Sequence, residues 1–390
     1  MLSYFNDLLP KIVEKLTEVA KNPTKPHFNH YIFEVVGLSI KIACTNNPSA
    51  VSSFEPLFFP IFTNILVQEV VEFMPYVFQI LSLFLEQYQP VQGGSSMTVP
   101  EPYMELFSFL LMPPLWEKPP CIAPLVRLLQ AYVRNCCPKI ISMGKLEPML
   151  GVFQKLIASR MNDHQGFNLL NYLVLFADQS AMSPLLKQIF FLLFQRLTAS
   201  RTIKYTRSLL IFFSIFTYKY GAQTFYDMIE SIQTNMFVMV VEKLFIVDAQ
   251  KVLGSTDRKT LAIGITKLLT ELDVFFTNAN LNALWAPLLQ ALVAVFELPE
   301  DESTEGAEHF VEIEEAAGYQ ASYSQLAHAG RKQLDPMEDI ADARIFLATG
   351  LGKLSTKYPL KTIVLSMQAD AVAFLQKYLL AANVSLMWFV

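Results

Sequence analysis

Apolar residues in this chain recur with a helical period almost from end to end, and few folds accommodate that. Met149, Val152, Phe153, Leu156 and Ile157 fall at i, i+3, i+4, i+7 and i+8, with Gln154 and Lys155 opposite. Leu261, Ile265, Leu268, Leu269 and Leu272 repeat the pattern, as do Ile12, Val13, Leu16, Val19 and Ala20. Ile340, Ala343, Leu347, Leu351 and Leu354 continue it near the end. Such spacing lays one apolar stripe along each helix. Sustained alternation of apolar and polar residues, the mark of a half-buried strand, is absent. The spacing predicts an all-α chain.

Helices are expected near 3–20, 27–45, 49–67, 71–88, 102–111, 121–135, 145–159, 165–177, 183–199, 202–219, 222–233, 235–250, 257–272, 280–297, 319–331, 337–356 and 367–381. Pro148 and Pro184 fit just inside helix starts, where a missing N–H costs nothing. Pro60 and Pro75 fall deeper and are expected to bend their helices. Most connections are short, so consecutive helices should lie antiparallel. Two helices with their turns make a unit of about 40 residues, the size of HEAT or armadillo repeats. The expected architecture is a HEAT-repeat α-solenoid, a superhelical stack of antiparallel helix pairs over residues 1–390. Two insertions interrupt it, near 89–100 (QPVQGGSSMTVP) and near 298–317.

Composition narrows the class. Hydrophobic residues make up 53% of the 390 and charged residues 17%, the reverse of what keeps a chain disordered. The mean hydropathy of +0.34 raises the question of a membrane span. The longest uncharged run, Val274–Phe296, is long enough to cross. It carries Asn278, Asn280, Asn282, Pro287 and Gln290, which a bilayer would penalise, so the chain is read as soluble with no membrane insertion. Cys44, Cys121, Cys136 and Cys137 show no framework spacing, and reduced thiols of a cytosolic or nuclear protein are expected.

The net charge of −5 has a local origin. Residues 297–315 hold nine acids and no Lys or Arg, which leaves 30 bases against 26 acids elsewhere. No basic face marks a nucleic-acid binder. Within the acidic run, Phe310, Val311 and Ile313 sit among the carboxylates. A docking loop needs such apolar anchors, because screened surface charge contributes mostly orientation and association rate. Glu300, Asp301, Glu302, Glu305, Glu308, Phe310, Glu312, Glu314 and Glu315 are therefore the candidate partner-binding residues, facing a basic partner. The competing reading is a solvated loop.

Few residues point to catalysis. His27 and His30 share a helical face, but no nearby Cys or Asp completes a ligand set, and a metal needs three or four. Gly350-Leu351-Gly352-Lys353 lacks the outer Gly and the final Ser or Thr of a phosphate loop, because Leu347 and Leu354 hold those places. The expectation is a binding protein with no catalytic residues, cofactor or metal. An all-α enzyme built on an isolated His and a HEAT-type scaffold subunit of another assembly are the alternatives.

Six strings carry a resemblance: KPHFNHY at 25–31, LVRLLQAYV at 125–133, GVFQKLIASRMNDHQGF at 151–167, KQIFFLLFQRL at 187–197, GITKLLTE at 264–271 and EHFVEIEEAAGYQASYSQLAHAGRK at 308–332. In order, they resemble the importin-alpha re-exporters. These are exportins of the karyopherin-beta family, also called cellular apoptosis susceptibility or chromosome segregation proteins. The likeness is to the C-terminal part, roughly the last two-fifths. It implies a HEAT-repeat superhelix that helps hold importin-alpha together with the GTP-bound form of the Ran GTPase. It also implies passage by way of nuclear pore proteins, release of importin-alpha in the cytoplasm, and shuttling between nucleus and cytoplasm. Nucleotide hydrolysis would belong to the partner.

Overall fold

The computed structural model describes residues 2–21, 23–45, 47–88, 98–299, 325–330, 333–364 and 366–384, and these contain helices and no strand. The chain divides into two compact units, Met1–Leu156 with Glu308–Lys332, and Ile157–Ala307 with Gln333–Val390.

The first unit begins with α1 (Leu2–Ala20), α2 (Pro26–Cys44), α3 (Val51–Val67) and α4 (Met74–Glu86). It continues with α5 (Glu101–Leu110), α6 (Pro119–Ser142) and most of α7 (Leu146–Ala158). Alternate helices pack side by side. α4 lies between α2 and α6, while α1 rests on both α2 and α3. A helix with neighbours on every side must be apolar all round, and α4 is: every residue from Met74 to Leu85 is buried. Its one serine, Ser82, turns its hydroxyl back to the carbonyl of Phe78 at 2.7 Å, which satisfies the group without a partner helix. The aromatics Phe54, Phe58 and Phe62 are core, as their spacing implies, with Phe58 and Phe62 stacked at 5.8 Å.

The second unit opens with α8 (Asp163–Phe176), α9 (Gln179–Ala199), α10 (Ile203–Tyr220) and α11 (Ala222–Ile232). Next come α12 (Met236–Val240), α13 (Ile246–Asp248), α14 (Ser255–Glu271), α15 (Val274–Thr277) and α16 (Ala279–Phe296). It ends with α17 (Ala343–Ser355), α18 (Lys361–Val364) and α19 (Ala369–Ala381). One row runs α8, α10, α14, α17, each touching the next; α9 packs on α11, and α16 on α19. Phe190, Phe212, Phe213, Phe216 and Phe225 form a ring cluster with centroid separations such as 5.0 Å for Phe190–Phe216 and for Phe213–Phe225. Such aromatic groups pack edge to face or offset, which adds to the gain from burial alone.

Several expectations change. Pro75 stands at the second position of α4, where it needs no N–H, so it bends nothing. Pro184 lies inside α9, which starts earlier, at Gln179. Residues 241–245 form one π-helical turn between α12 and α13, so 235–250 is not one regular helix. α17 starts at Ala343, because the Asp342 carboxylate accepts the N–H groups of Arg344 and Ile345 and sets the helix start there. The described part of the expected helix at 319–331, residues 325–330, is a bend and turn. α9 is less enveloped than KQIFFLLFQRL implies, since Phe191 is 56% exposed.

Gly350 lies within α17, where an added Cβ would stand 3.0 Å from Thr270, so the glycine serves close helix packing and no phosphate loop. All four cysteines are buried, and none is in a disulfide. Among the described residues, two helical stretches, Pro48–Val67 and Ala279–Phe296, are long and apolar enough to cross a membrane, and their most apolar 18-residue windows are 44% and 50% buried.

Candidate partner-binding surface

Glu300, Asp301, Glu302, Glu305, Glu308, Phe310, Glu312, Glu314 and Glu315 lie outside the described residues, as do residues 89–97 of the shorter insertion. What the structure does describe is how the chain is held on either side of the acidic run.

In the second unit, the chain enters the run from the end of α16. There Arg344 donates to the carbonyl of Phe296, and its guanidinium lies over the rings of Phe296 at 5.2 Å and Tyr378 at 5.7 Å. Tyr378 donates its hydroxyl to the Glu297 carboxylate. Burial, and then that carboxylate, hold the phenol well above its ordinary pKa. Glu297 is thus engaged within its own unit. Arg258 of α14 donates to the carbonyl of Pro299 at 2.7 Å. Cations at the last turn of a helix also complement its negative end.

After the run, residues 333–342 are tied to the same unit. Lys259 pairs with Asp335 at 2.6 Å, Gln333 donates to Asp257 at 3.3 Å, and Tyr218 donates to Asp339.

In the first unit, residues 325–330 settle against α2 and α4. Gln79 accepts the N–H of Leu326 through Oε1 at 2.8 Å. Glu34 accepts the N–H of Ala327 at 2.6 Å and that of His328 at 3.0 Å, one on each carboxylate oxygen. Glu34 and Gln79 are 7% and 5% exposed, while Leu326 and Ala329 are fully covered. Gly37, one turn from Glu34, admits this backbone: a Cβ there would lie 3.5 Å from the Ala329 nitrogen. None of these three groove residues stands out by type or motif. The available signal is positional: Glu34 and Gly37 share a helical face in a stretch whose other faces are strongly apolar.

The end of α4, where the shorter insertion begins, is held too. Arg127 of α6 pairs with Glu86 through two nitrogens at 3.1 and 2.9 Å, and Asn135 donates to the carbonyl of Leu85 at 2.9 Å.

The remaining polar chemistry is structural. Glu55 is buried in α3 with the hydroxyls of Tyr88 at 2.9 Å and Tyr103 at 2.6 Å directed at it, and burial raises its pKa against the opposing pull of those two donors. His30 places Nδ1 3.3 Å from the Tyr76 hydroxyl and Nε2 3.4 Å from Glu34, on the wall of the groove. Among the described residues, no three His, Cys, Asp or Glu side chains group closely enough to hold a metal ion.

Comparison with known proteins agrees with this architecture. A family model described as "CAS/CSE protein, C-terminus" matches residues 1–378. Exportin-2 of Danio rerio is 48% identical over 392 residues, covering 99% of this chain and 40% of the relative. Exportin-2 of Homo sapiens is 46% identical over 393 residues, with the same coverage. The chain therefore spans about two-fifths of the length of the curated relatives it matches. A solved structure, the exportin Cse1 in its cargo-free, cytoplasmic state, superposes with a TM-score of 0.81 at 26% identity, over 96% of this chain and 38% of that one. The fold is the HEAT-repeat α-solenoid that helix pattern and repeat length imply. The chain belongs to the CAS/CSE family of exportins and matches the C-terminal part of its members.

Proposed function

We propose that this chain is the C-terminal helical array of a nuclear export receptor, and that it helps hold importin-alpha together with GTP-bound Ran for return to the cytoplasm. The observation that carries this reading is the in-order likeness to exportin-2 over 99% of the chain, joined to a fold shared with the exportin Cse1. Physical chemistry supports the role. Stacked helical pairs that touch mainly their neighbours deform by small steps along the stack, so curvature can respond to ligands. Two partners that favour the same curvature each raise the other's affinity. On this reading residues 1–390 are the C-terminal HEAT-repeat array of an exportin, with inter-helix insertions near 89–100 and 298–317, and the protein shuttles between nucleus and cytoplasm. The acidic insertion presents its carboxylates and Phe310 to a basic partner. The chain itself performs no turnover; hydrolysis falls to the GTPase.

The test is a pull-down with this chain joined to the amino-terminal repeats of Danio rerio exportin-2. Importin-alpha is expected to be retained with GTP-locked Ran and lost without it. Retention that ignores the nucleotide, or no retention at all, contradicts the proposal.

A further inference from the structure

We propose that the groove between α2 and α4 is a clamp for peptide backbone, and that residues 325–330 fill it as a displaceable ligand supplied by the chain itself. The inference rests on the groove's geometry and is independent of the exportin reading.

Three consecutive N–H groups, of Leu326, Ala327 and His328, are taken by two side chains that lie 247 to 294 residues away in sequence. The acceptors are preset. Gln79 donates its amide nitrogen to the carbonyl of Pro75 at 3.0 Å, which aims Oε1 into the groove. The two oxygens of Glu34 each take one N–H, a charge-assisted arrangement roughly twice as strong as neutral pairs. Because these bonds go to the main chain, any segment that follows the same backbone path satisfies them. Side-chain selection is confined to two places. Leu326 is buried, and Ala329 lies against Gly37, so the groove suits a leucine followed three residues later by a small residue.

The segment is a bend and turn and belongs to no helix, so leaving the groove unwinds none. The segment and the groove belong to one chain and to one compact unit. An intramolecular ligand acts at high effective concentration, which a partner's segment must exceed. The contact is therefore autoinhibitory for the groove: filled at rest, open when residues 325–330 are displaced.

Two measurements test this. First, a synthetic peptide of residues 322–333 is titrated against the intact chain and against a variant in which residues 325–330 are replaced by a Gly-Ser stretch of equal length. The expected result is binding to the replaced variant at least about tenfold tighter than to the intact chain, lost by about tenfold or more when Glu34→Ala is added. Equal binding to both chains, or binding to neither, overturns the proposal. So does a replaced variant that loses its helical circular dichroism, since the segment would then be part of the core. Second, hydrogen exchange on the intact chain should show the amides of 326–328 opening together while those of α4 stay protected. Exchange of the two sets only in concert would mean that the segment never leaves alone.

Discussion

Gly264 of α14 lies so close to Ser214 of α10 that a Cβ on residue 264 would stand 2.4 Å from the serine Cβ and 2.6 Å from its Cα. The approach lets two helices of the same row touch nearly backbone to backbone, with the Ser214 hydroxyl turned to the Leu210 carbonyl at 2.8 Å. Gly264→Ala must push the helices apart, since the nearest atoms are at the helix backbone and cannot swing away. The expected cost is about 1–3 kcal/mol of stability, read in urea denaturation. A change within the error of that measurement would mean that the row is looser than this contact requires.

Glu55 sets a pH dependence whose sign follows from burial. Its carboxyl is pushed above the ordinary 4.5 by burial, against hydrogen bonds from Tyr103 and Tyr88. The folded chain therefore holds the proton more tightly than the unfolded one. Its contribution is complete below the ordinary value and is lost as pH rises through the raised value. Glu55→Gln should flatten the fall in melting temperature above pH 4.5, relative to the parent chain. Parallel curves for the two chains would refute this.

The pair of Asp163 and Arg196 is the most deeply buried ion pair among the described residues, at 3.0 Å with side chains 1% and 8% exposed. Arg196 also donates to the carbonyl of Ser200 and lies over the Tyr205 ring at 4.9 Å. Asp163→Ala leaves a buried guanidinium without its counter-charge, and about 3–5 kcal/mol should be lost. Removing both charges should cost less than the two single losses combined. A double-mutant cycle measures this, and strict additivity would contradict it.

Replacing Glu300, Asp301, Glu302 and Glu305 by their amides should slow association with a basic partner by roughly tenfold at low salt, with helix content unchanged. The difference should shrink as salt screens the charges. Stopped-flow association at two ionic strengths reads it. An unchanged rate at low salt would return the run to a solvated loop.

Fold class was legible in the sequence because burial on one helical face leaves a periodic imprint, plain in the stripe from Met149 to Ile157. Gly350 was legible for the same reason, since it sits on a periodic stretch. Boundaries were harder where one residue decides. Pro75 reads as internal until α4 is found to start at Met74, and Asp342 halts a pattern that begins at Ile340 in the sequence. The groove of Glu34 and Gln79 was not legible, because its ligand comes from the far end of the chain and consists of backbone. Periodicity records which side chains are buried. It carries no mark of a main-chain N–H accepted by a distant carboxylate.

Under the proposed function, importin-alpha and GTP-bound Ran bind cooperatively to the receptor this helical array belongs to. The most direct measurement is the affinity of importin-alpha for the chain joined to its relatives' amino-terminal repeats, with Ran locked in its GTP or its GDP state. GTP-locked Ran is expected to tighten importin-alpha binding by roughly 5- to 150-fold, and importin-alpha to tighten Ran binding by the same factor. An importin-alpha affinity indifferent to the nucleotide on Ran would contradict it.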